Sequence, residues 1–347
     1  MTGPLSAARA RQLIARFSRV RVGVAGDLVA DEFIYGQLDR VSREAPVLIL
    51  KYDSTEIVPG GAGNAAANAA ALGARVRVAG VVGADDAGRR LLAALPAGVS
   101  RDGRGVLRAR GYVTPVKTRI LAGGVHSAKQ QVVRIDRAGG RITPAMRRHV
   151  EAALTSLLRE CDAVILSDYG SGLITPDLWT RVRDRARRRR PPIVVIDSRY
   201  ALDGYRGMTA CTPNESEADA LFGVRIDDDA AALERAGRTL LRDLECRAVL
   251  ITRGSRGMAL FEPDRPTDHI PIVGSDQIAD VTGAGDTVIA TFALALAAGG
   301  TFGEAARLAN VAGGLVVMKR GTATVSAAEV GGRACFPQNR AGRGQAS

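Results

Sequence analysis

Aromatic side chains are scarce: seven Phe, six Tyr and one Trp make up 4% of the 347 residues. A β-sandwich filled by rings is disfavoured on that count, and so is a single-strand nucleic-acid platform, which needs rings interleaved with its cations. Cysteine is as sparse, with Cys161, Cys211, Cys246 and Cys335 forming no C-x-x-C pair and no metal-ligand spacing. Neither a disulfide framework nor a zinc site is expected to organise the chain. The three histidines, His126, His149 and His269, lack paired spacing and are assigned no chemistry. Long apolar runs are missing too. The longest, around Val288 to Ala298, is well short of the roughly 20 residues of a membrane span, and the arginine-bearing N-terminus has no apolar signal core. The expectation is a cytoplasmic protein with reduced thiols and no membrane partner.

What is abundant points elsewhere. Hydrophobic residues reach 46% and glycine 40 residues, enough for a large buried core and against disorder as the main state. The 48 basic and 36 acidic residues leave a net charge of +12, which favours anionic partners without choosing among phosphorylated metabolites, nucleic acid and membrane. The densest basic run, Arg181 to Arg190, precedes Pro191-Pro192 and reads as the solvated end of a crossover helix, where cations complement the helix dipole; a nucleic-acid partner is disfavoured.

From Arg21 onward, β-rich apolar runs alternate with Ala/Leu-rich helical patterns, the signature of crossovers that build a parallel sheet. Strands are expected at 22–26, 75–82, 163–166, 193–196 and 248–251, and helices at 62–72, 85–95, 284–298 and 302–319. Two intervals, 33–58 and 111–136, alternate polar with apolar residues as half-exposed antiparallel strands do, and read as a small β-structure added to the main sheet. Residues 1–20 form an expected helical extension, 21–330 one α/β domain, and 331–347 a Gly/Arg-rich disordered tail.

The strongest local signal is Asp280-Val-Thr-Gly-Ala-Gly-Asp286-Thr, a small-residue turn opening an apolar helix. Glycines 283 and 285 allow close backbone approach, and the first-turn amides of Gly283, Ala284 and Gly285 would point at an anion with the helix dipole behind them. Asp286 would be held as a carboxylate able to accept a hydroxyl proton during phosphoryl transfer. A capped helix with a tight turn explains the same letters equally well. A second turn, Val58-Pro-Gly-Gly-Ala-Gly-Asn64, opens another helix and suits a polyol, or merely tight packing. There is no G-x-x-x-x-G-K-[ST], and Val288 stands where a dinucleotide motif needs a small residue, so P-loop and Rossmann enzymes are unsupported.

Together, Gly60-Gly61-Ala-Gly-Asn64 and Asp280 to Thr287, in this order, resemble the two signatures of the PfkB/ribokinase-like carbohydrate kinases, with the resemblance running from about Arg21 to about Val330. The implied fold is α/β and ribokinase-like: a mostly parallel central sheet flanked by helices, with the inserted β segments as a lid over the sugar. Within that family, Gly26-Asp-Leu-Val-Ala-Asp31, Arg40 to Val47, Leu166 to Tyr169, Gly204 to Gly207 and Gly321 to Ser326 are similar to the kinase domain of the heptose 7-phosphate kinase/ADP-heptose synthase proteins. The implied reaction is ATP-dependent phosphorylation of the anomeric hydroxyl of heptose 7-phosphate. Asp197-Ser198-Arg199 stands where those proteins usually carry Asp-Pro-Lys, and their fused adenylyltransferase has no counterpart in these residues, which points to a separate adenylyltransferase.

The resemblance implies roles residue by residue. Asp286 is the base, with the amides of Gly283, Ala284 and Gly285 as anion hole. Asp27, Gly60, Gly61 and Asn64 hold sugar hydroxyls. Arg40, Arg119 and Arg134, with Lys51, Lys117 and Lys129, are the lid cations available to a substrate phosphate. Asn214, Ser198, Thr252, Gly254, Gly257 and Asn310 lie on the nucleotide side, Asn214 and Glu217 organise Mg²⁺ largely through water, and Asp280 with Thr282 offers a site for a monovalent cation such as K⁺. Tyr169 and Trp179 are expected to pack, and lid edges needing cover suggest a homodimer. Two alternatives stay open: a kinase of another sugar, phosphosugar or nucleoside, and a catalytically silent binding protein on the same fold.

Overall fold

A strand covered by helices on both faces reads as an unbroken apolar run, and the first core strand, Val22 to Gly26, is buried along its whole length. The computed structural model describes residues 5–123, 129–186, 189–223, 225–273 and 280–334. The chain opens with α1 (Ala7–Ile14), β1 (Arg21–Gly26), β2 (Leu28–Val41), β3 (Leu48–Gly61), α2 (Ala62–Ala71), β4 (Arg75–Gly83) and α3 (Asp86–Ala94). It continues through β5 (Val99–Ser100), β6 (Val106–Ala109), β7 (Val116–Gly123), β8 (Gln130–Arg137), α4 (Pro144–Glu160), β9 (Ala163–Asp168), α5 (Pro176–Arg185) and β10 (Ile193–Ser198). Next come β11 (Ala210–Cys211), α6 (Glu215–Phe222), α7 (Ala230–Asp243), β12 (Ala248–Thr252), β13 (Met258–Phe261) and β14 (Asp268–Ile270), then α8 (Ala284–Ala297), α9 (Phe302–Val316) and α10 (Ala327–Ala334).

The main sheet has the order β14-β13-β12-β11-β10-β9-β1-β4-β5, with β6 also on β4. It is parallel from β5 to β12, while β13 and β14 complete one edge antiparallel. One face is covered by α1, α2, α3, α8, α9 and α10, the other by α4, α5, α6 and α7, giving two apolar layers around the sheet. The expected architecture is therefore present. Very short strands such as β5 and β11 carry too few residues to show a period.

The inserted segments form a separate four-stranded sheet of order β3-β2-β7-β8. The first pair reaches deeper than the expected 33–58, since β2 leaves β1 after one residue and β3 runs straight into α2, while the second spans 116–137 against the expected 111–136. The first four residues of β2 are buried, so no alternation marks where that strand begins, whereas residues 111–115 precede β7 without strand structure. At the other extreme, every residue of β8 is exposed.

The N-terminal extension is helical and packed: Ala10, Leu13 and Phe17 are buried in the core, and Arg9 pairs with Glu304 at 2.8 Å. Residues 331–334, expected in a disordered tail, instead belong to α10; the rest of that expectation, residues 335–347 with Cys335, lies outside the described residues. Arg181 and Arg185 of the basic run both pair with Glu151 on α4, as a charged helix face does. Cys161, Cys211 and Cys246 are buried thiols. Among the described residues no helix is long and apolar enough to cross a membrane.

Candidate active site

The strands β1, β9 and β10 end side by side, with Gly26 opposite Ser167 and Asp168 opposite Ser198, and the lid rises from the same edge. This is the crevice in which open α/β sheets hold ligands. The N-terminus of α8 enters it. Gly283 caps that helix at φ +76°, and a Cβ there would stand 2.4 Å from the Asn64 amide, so glycine alone fits. A Cβ on Gly285 would meet nothing within 4 Å, which leaves that side of the turn open.

Asp286, in the first turn of α8, is 5% exposed. Asn64 Nδ2 donates to its Oδ2 at 2.8 Å and to the Gly283 carbonyl at 3.3 Å. Asn68 Nδ2 donates to Asn64 Oδ1 at 3.0 Å, and Thr287 Oγ1 donates to Asn68 Oδ1 at 2.9 Å. This chain of donors orients the Asn64 amide with its nitrogen toward the carboxylate. Tyr169 Oη donates to the other carboxylate oxygen at 3.3 Å. Burial is the largest influence on Asp286 and pushes its pKa up to about 7; the Asn64 and Tyr169 bonds and nearby Lys117 pull it down, and Asp31 pushes it up. A carboxyl group so poised can take a proton at neutral pH.

Sequence reasoning missed two members of this centre. Asp31, on β2, forms a buried ion pair with Arg119 at 2.7 Å and lies against Gly60, where a Cβ would meet Asp31 Oδ2 at 2.4 Å. Its signal was the Gly26 to Asp31 stretch, which holds two carboxylates four residues apart. Asp27, the one expected to meet sugar, instead accepts from the Tyr169 amide at 2.8 Å, the Ser171 amide at 3.3 Å and the Ser171 hydroxyl, so it ties down the loop after β9. Tyr169 was expected only to pack. Its ring does lie over Gly61 and under the Lys117 ammonium, 4.9 Å from the centroid, but its hydroxyl reaches Asp286.

Gly61 takes φ +57°, turning the chain from the lid into α2 with the Asp27 carbonyl in the way of any Cβ. Ser198, expected on the nucleotide side, donates to Asp168 at 2.7 Å beside the Tyr205 hydroxyl at 2.8 Å. Asn310 donates to the Pro271 carbonyl at 2.7 Å. Among the lid cations, Arg40 and Lys51 meet Asp39, Lys129 meets Asp53, and Arg134 grips Asp136 through its Nε and Nη2 at 2.7 and 2.6 Å. His149 lies outside the crevice, and His126 lies outside the described residues.

The far side of the crevice is more open. Asn214 and Glu217 cap α6 reciprocally: Asn214 Oδ1 accepts from the Glu217 amide at 2.9 Å, and Glu217 Oε2 from the Asn214 amide at 3.0 Å. Asn214 is bridged to Thr252 at the end of β12, followed by Gly254 and Gly257 at φ +56° and +80°. Asp197, at the end of β10, has its pKa raised well above the carboxylate range, first by burial and then by the charges of Glu217, Asp286 and Asp168; burial raises Glu217 as well. The Arg199 charge opposes both carboxyl groups, and among the described residues no cluster of His, Cys, Asp or Glu could by itself hold a metal ion. Asp280 accepts from the Thr282 amide at 2.9 Å and the Gly321 amide at 3.1 Å, joining two loops; Ala284 N donates to Val281 O at 3.2 Å.

A family model described as "pfkB family carbohydrate kinase" matches residues 28–329. The chain is 42% identical over 325 residues to the bifunctional protein HldE of Geobacter sulfurreducens, covering 93% of this chain and 65% of that protein. The HldE of Klebsiella pneumoniae is 40% identical over 321 residues, with 91% and 64% covered. The chain thus spans just under two thirds of the length of these relatives. Two solved structures share the fold. Arabidopsis thaliana ribokinase complexed with ribose and ATP superposes with a TM-score of 0.70 at 21% identity, covering 92% of this chain and 99% of that one. Escherichia coli phosphofructokinase-2 with fructose-6-phosphate gives 0.72 at 16% identity, covering 91% and 98%. The architecture is ribokinase-like.

Proposed function

Because the chain belongs to the pfkB family of carbohydrate kinases, phosphotransferases with an alcohol acceptor, we propose that it moves the terminal phosphoryl group of ATP to the anomeric hydroxyl of heptose 7-phosphate. The observation that carries the transfer chemistry is Asp286: buried, gripped on both oxygens, and titrating near neutrality at the positive end of α8. The choice of sugar follows the resemblance in the Gly26 to Asp31, Arg40 to Val47 and Gly321 to Ser326 stretches. Relatives named HldE, matched over 93% of the chain, support it.

In this mechanism Asn64 and Tyr169 fix the Asp286 carboxylate, which takes the acceptor's proton as its oxygen attacks phosphorus and ADP departs. At the open turn the Ala284 amide is taken by the Val281 carbonyl, so of the three amides expected to form an anion hole those of Gly283 and Gly285 would meet the charge that develops on the transferring group. Asp31 and the Gly60-Gly61 backbone line the acceptor's place. Glu217, with Asn214 and Asp197 beside it, would hold Mg²⁺ through water, and the metal would neutralise phosphate charge. A K⁺ ion beside Asp280 and Thr282 belongs to the same proposal; activity that is indifferent to exchanging K⁺ for a non-binding cation removes it.

Apolar residues left open on the lid, among them Val41, Leu48, Tyr52 and Ile135, favour a homodimer closed through this sheet. Light scattering at the monomer mass removes it. Nucleotidyl activation of the product we assign to an adenylyltransferase outside residues 21–330. The test of the function is ADP release from Mg-ATP with heptose 7-phosphate, sedoheptulose 7-phosphate, fructose 6-phosphate, ribose and adenosine, with phosphorus NMR to locate the new ester. Turnover of heptose 7-phosphate to the anomeric phosphate is expected. Turnover of a different acceptor alone replaces the sugar, and ATP binding without any turnover overturns the heptose assignment in favour of a silent binding protein.

A further inference from the structure

Tyr169 is held from both sides by buried carboxylates. Its own amide donates to Asp27 Oδ2 at 2.8 Å, and the next amide, that of Gly170, donates to Asp168 Oδ1 at 2.9 Å. Both acids are 4% exposed and sit on neighbouring strands, Asp27 just after β1 and Asp168 closing β9. Each is anchored in turn. Asp27 also accepts from the Ser171 amide at 3.3 Å and from the Ser171 hydroxyl, which itself accepts from the Leu173 amide at 3.2 Å. Asp168 Oδ2 accepts from Ser198 Oγ at 2.7 Å and from the buried Tyr205 Oη at 2.8 Å, tying the end of β9 to β10 and to the turn after it. The two peptides that flank the Tyr169 Cα are thereby fixed, and the side chain they aim ends on Asp286 Oδ1 at 3.3 Å.

Closing a loop does not by itself call for this arrangement. Asn or Ser side chains close such turns as neutral groups, whereas two carboxylates buried near each other repel. Burial raises the Asp27 pKa and the Asp168 charge raises it further, against the bonds from Ser171 and Tyr169. What the charges supply is a firmer grip, because a bond to an ionised acceptor is shorter and about twice as strong as a neutral one. Each of the four carboxylate oxygens already has a donor from the protein, so both acids are directed at the loop rather than at a substrate. We propose that Asp27 and Asp168 are positioning residues for the transfer, which together fix the backbone on either side of Tyr169 and so hold its hydroxyl on Asp286. A Tyr169 that swings away leaves Asp286 with the Asn64 donor alone, and the base then keeps its proton more tightly. The proposal rests on Asp286 being the base, as read above.

The experiment titrates Asp286 itself, by carbon-13 NMR of the aspartate carboxyl groups, its signal identified by its loss in Asp286→Asn. Wild type, Asp27→Asn and Asp168→Asn are compared, each with Tyr169 present and in a Tyr169→Phe background. Asn keeps the volume and one acceptor oxygen at each position, so the loop stays closed on weaker bonds. Tyr169→Phe should raise the Asp286 pKa by about 0.4 to 1 unit, the worth of one hydrogen bond. Each Asn variant should raise it by part of that amount with Tyr169 present, measured relative to the effect of the same variant in the Tyr169→Phe background. This difference cancels the direct effect of the removed charge, which lowers the Asp286 pKa in both backgrounds; Asp31 and Lys117, which also act on Asp286, stay in place throughout. Ser171→Ala and Tyr205→Phe, which each take a donor from one of the acids, give the same readout where an Asn variant does not fold. No difference between backgrounds for either acid overturns the proposal, and a loss of stability without that difference is the mark of a merely structural anchor. An Asp286 pKa untouched by Tyr169→Phe overturns it as well. No substrate enters the titration, so a wild type that fails to turn over heptose 7-phosphate defeats the choice of sugar and leaves this result standing.

Discussion

The two sides of the crevice are built by opposite means. On the side proposed for the acceptor, Asn64 and Tyr169 bond Asp286 and Arg119 pairs with Asp31, all in a largely buried setting. On the side proposed for the nucleotide, Asn214 is exposed, Thr252 stands at a strand end, and Gly254 and Gly257 present bare backbone. The difference follows from what each side must do. A reacting carboxylate has to be held in one geometry and one range of pKa, which takes desolvation and fixed donors. A nucleotide can be gripped through backbone and a hydrated metal at a surface that remains open for exchange.

The sharpest break in this comparison is Asp286→Asn, which should cut turnover by roughly 100- to 10,000-fold while circular dichroism stays native. The same variant should be more stable than wild type above neutral pH. The folded pKa is raised from 3.8 to about 7, so the stability linked to holding this proton is complete below the unfolded value and is lost as pH rises through 7. A rise of about three units at about 1.4 kcal/mol each bounds the gain at roughly 4 kcal/mol. Urea midpoints at pH 5 and pH 8 check it; equal midpoints for both proteins at pH 8 contradict it.

Next in size is Arg119→Met, which leaves Asp31 buried beside Gly60 without its cation. It should cost about 3–5 kcal/mol, read as a thermal melting shift of several degrees, and Asp31→Leu in the same chain should restore much of it. Smaller is Asn64→Leu. With one donor gone, the Asp286 pKa should climb by about one unit and activity at pH 7 should fall roughly 5- to 10-fold, recovering toward pH 9. Smallest is Gly254→Ala on the open side. Its φ of +56° costs about 1 kcal/mol with a Cβ, yet that Cβ meets nothing within 4 Å, so the KM for ATP should change by no more than about threefold.

The same contrast explains what was legible in the sequence. Glycine turns and buried runs declare themselves locally: Gly60 to Asn64, Gly283 to Asp286 and the core strands lie where small residues or continuous apolar stretches demand them. Pairings across the fold do not. Whether Asp27 or Asp31 faces the cleft depends on the loop after β9, which supplies three donors to Asp27 from more than a hundred residues away. The hydroxyl of Tyr169 finds Asp286 across 117 positions, a contact that no periodicity carries. Arg119 looked available for substrate until the pairing of β2 with β7 set it beside Asp31, whereas Arg134 is held by Asp136 two residues along its own strand, a pair that the sequence does carry. Ser198 and Asn310 are likewise held by partners that local sequence leaves unnamed.

The most direct test is kcat/KM for the phosphorylated sugar between pH 5 and 9, in wild type and Asn64→Leu. An acid limb with its midpoint near 7 in wild type, moved to higher pH by the substitution, is the predicted result. A wild-type profile flat down to pH 5, or a limb that does not move, contradicts Asp286 as the base set by this network.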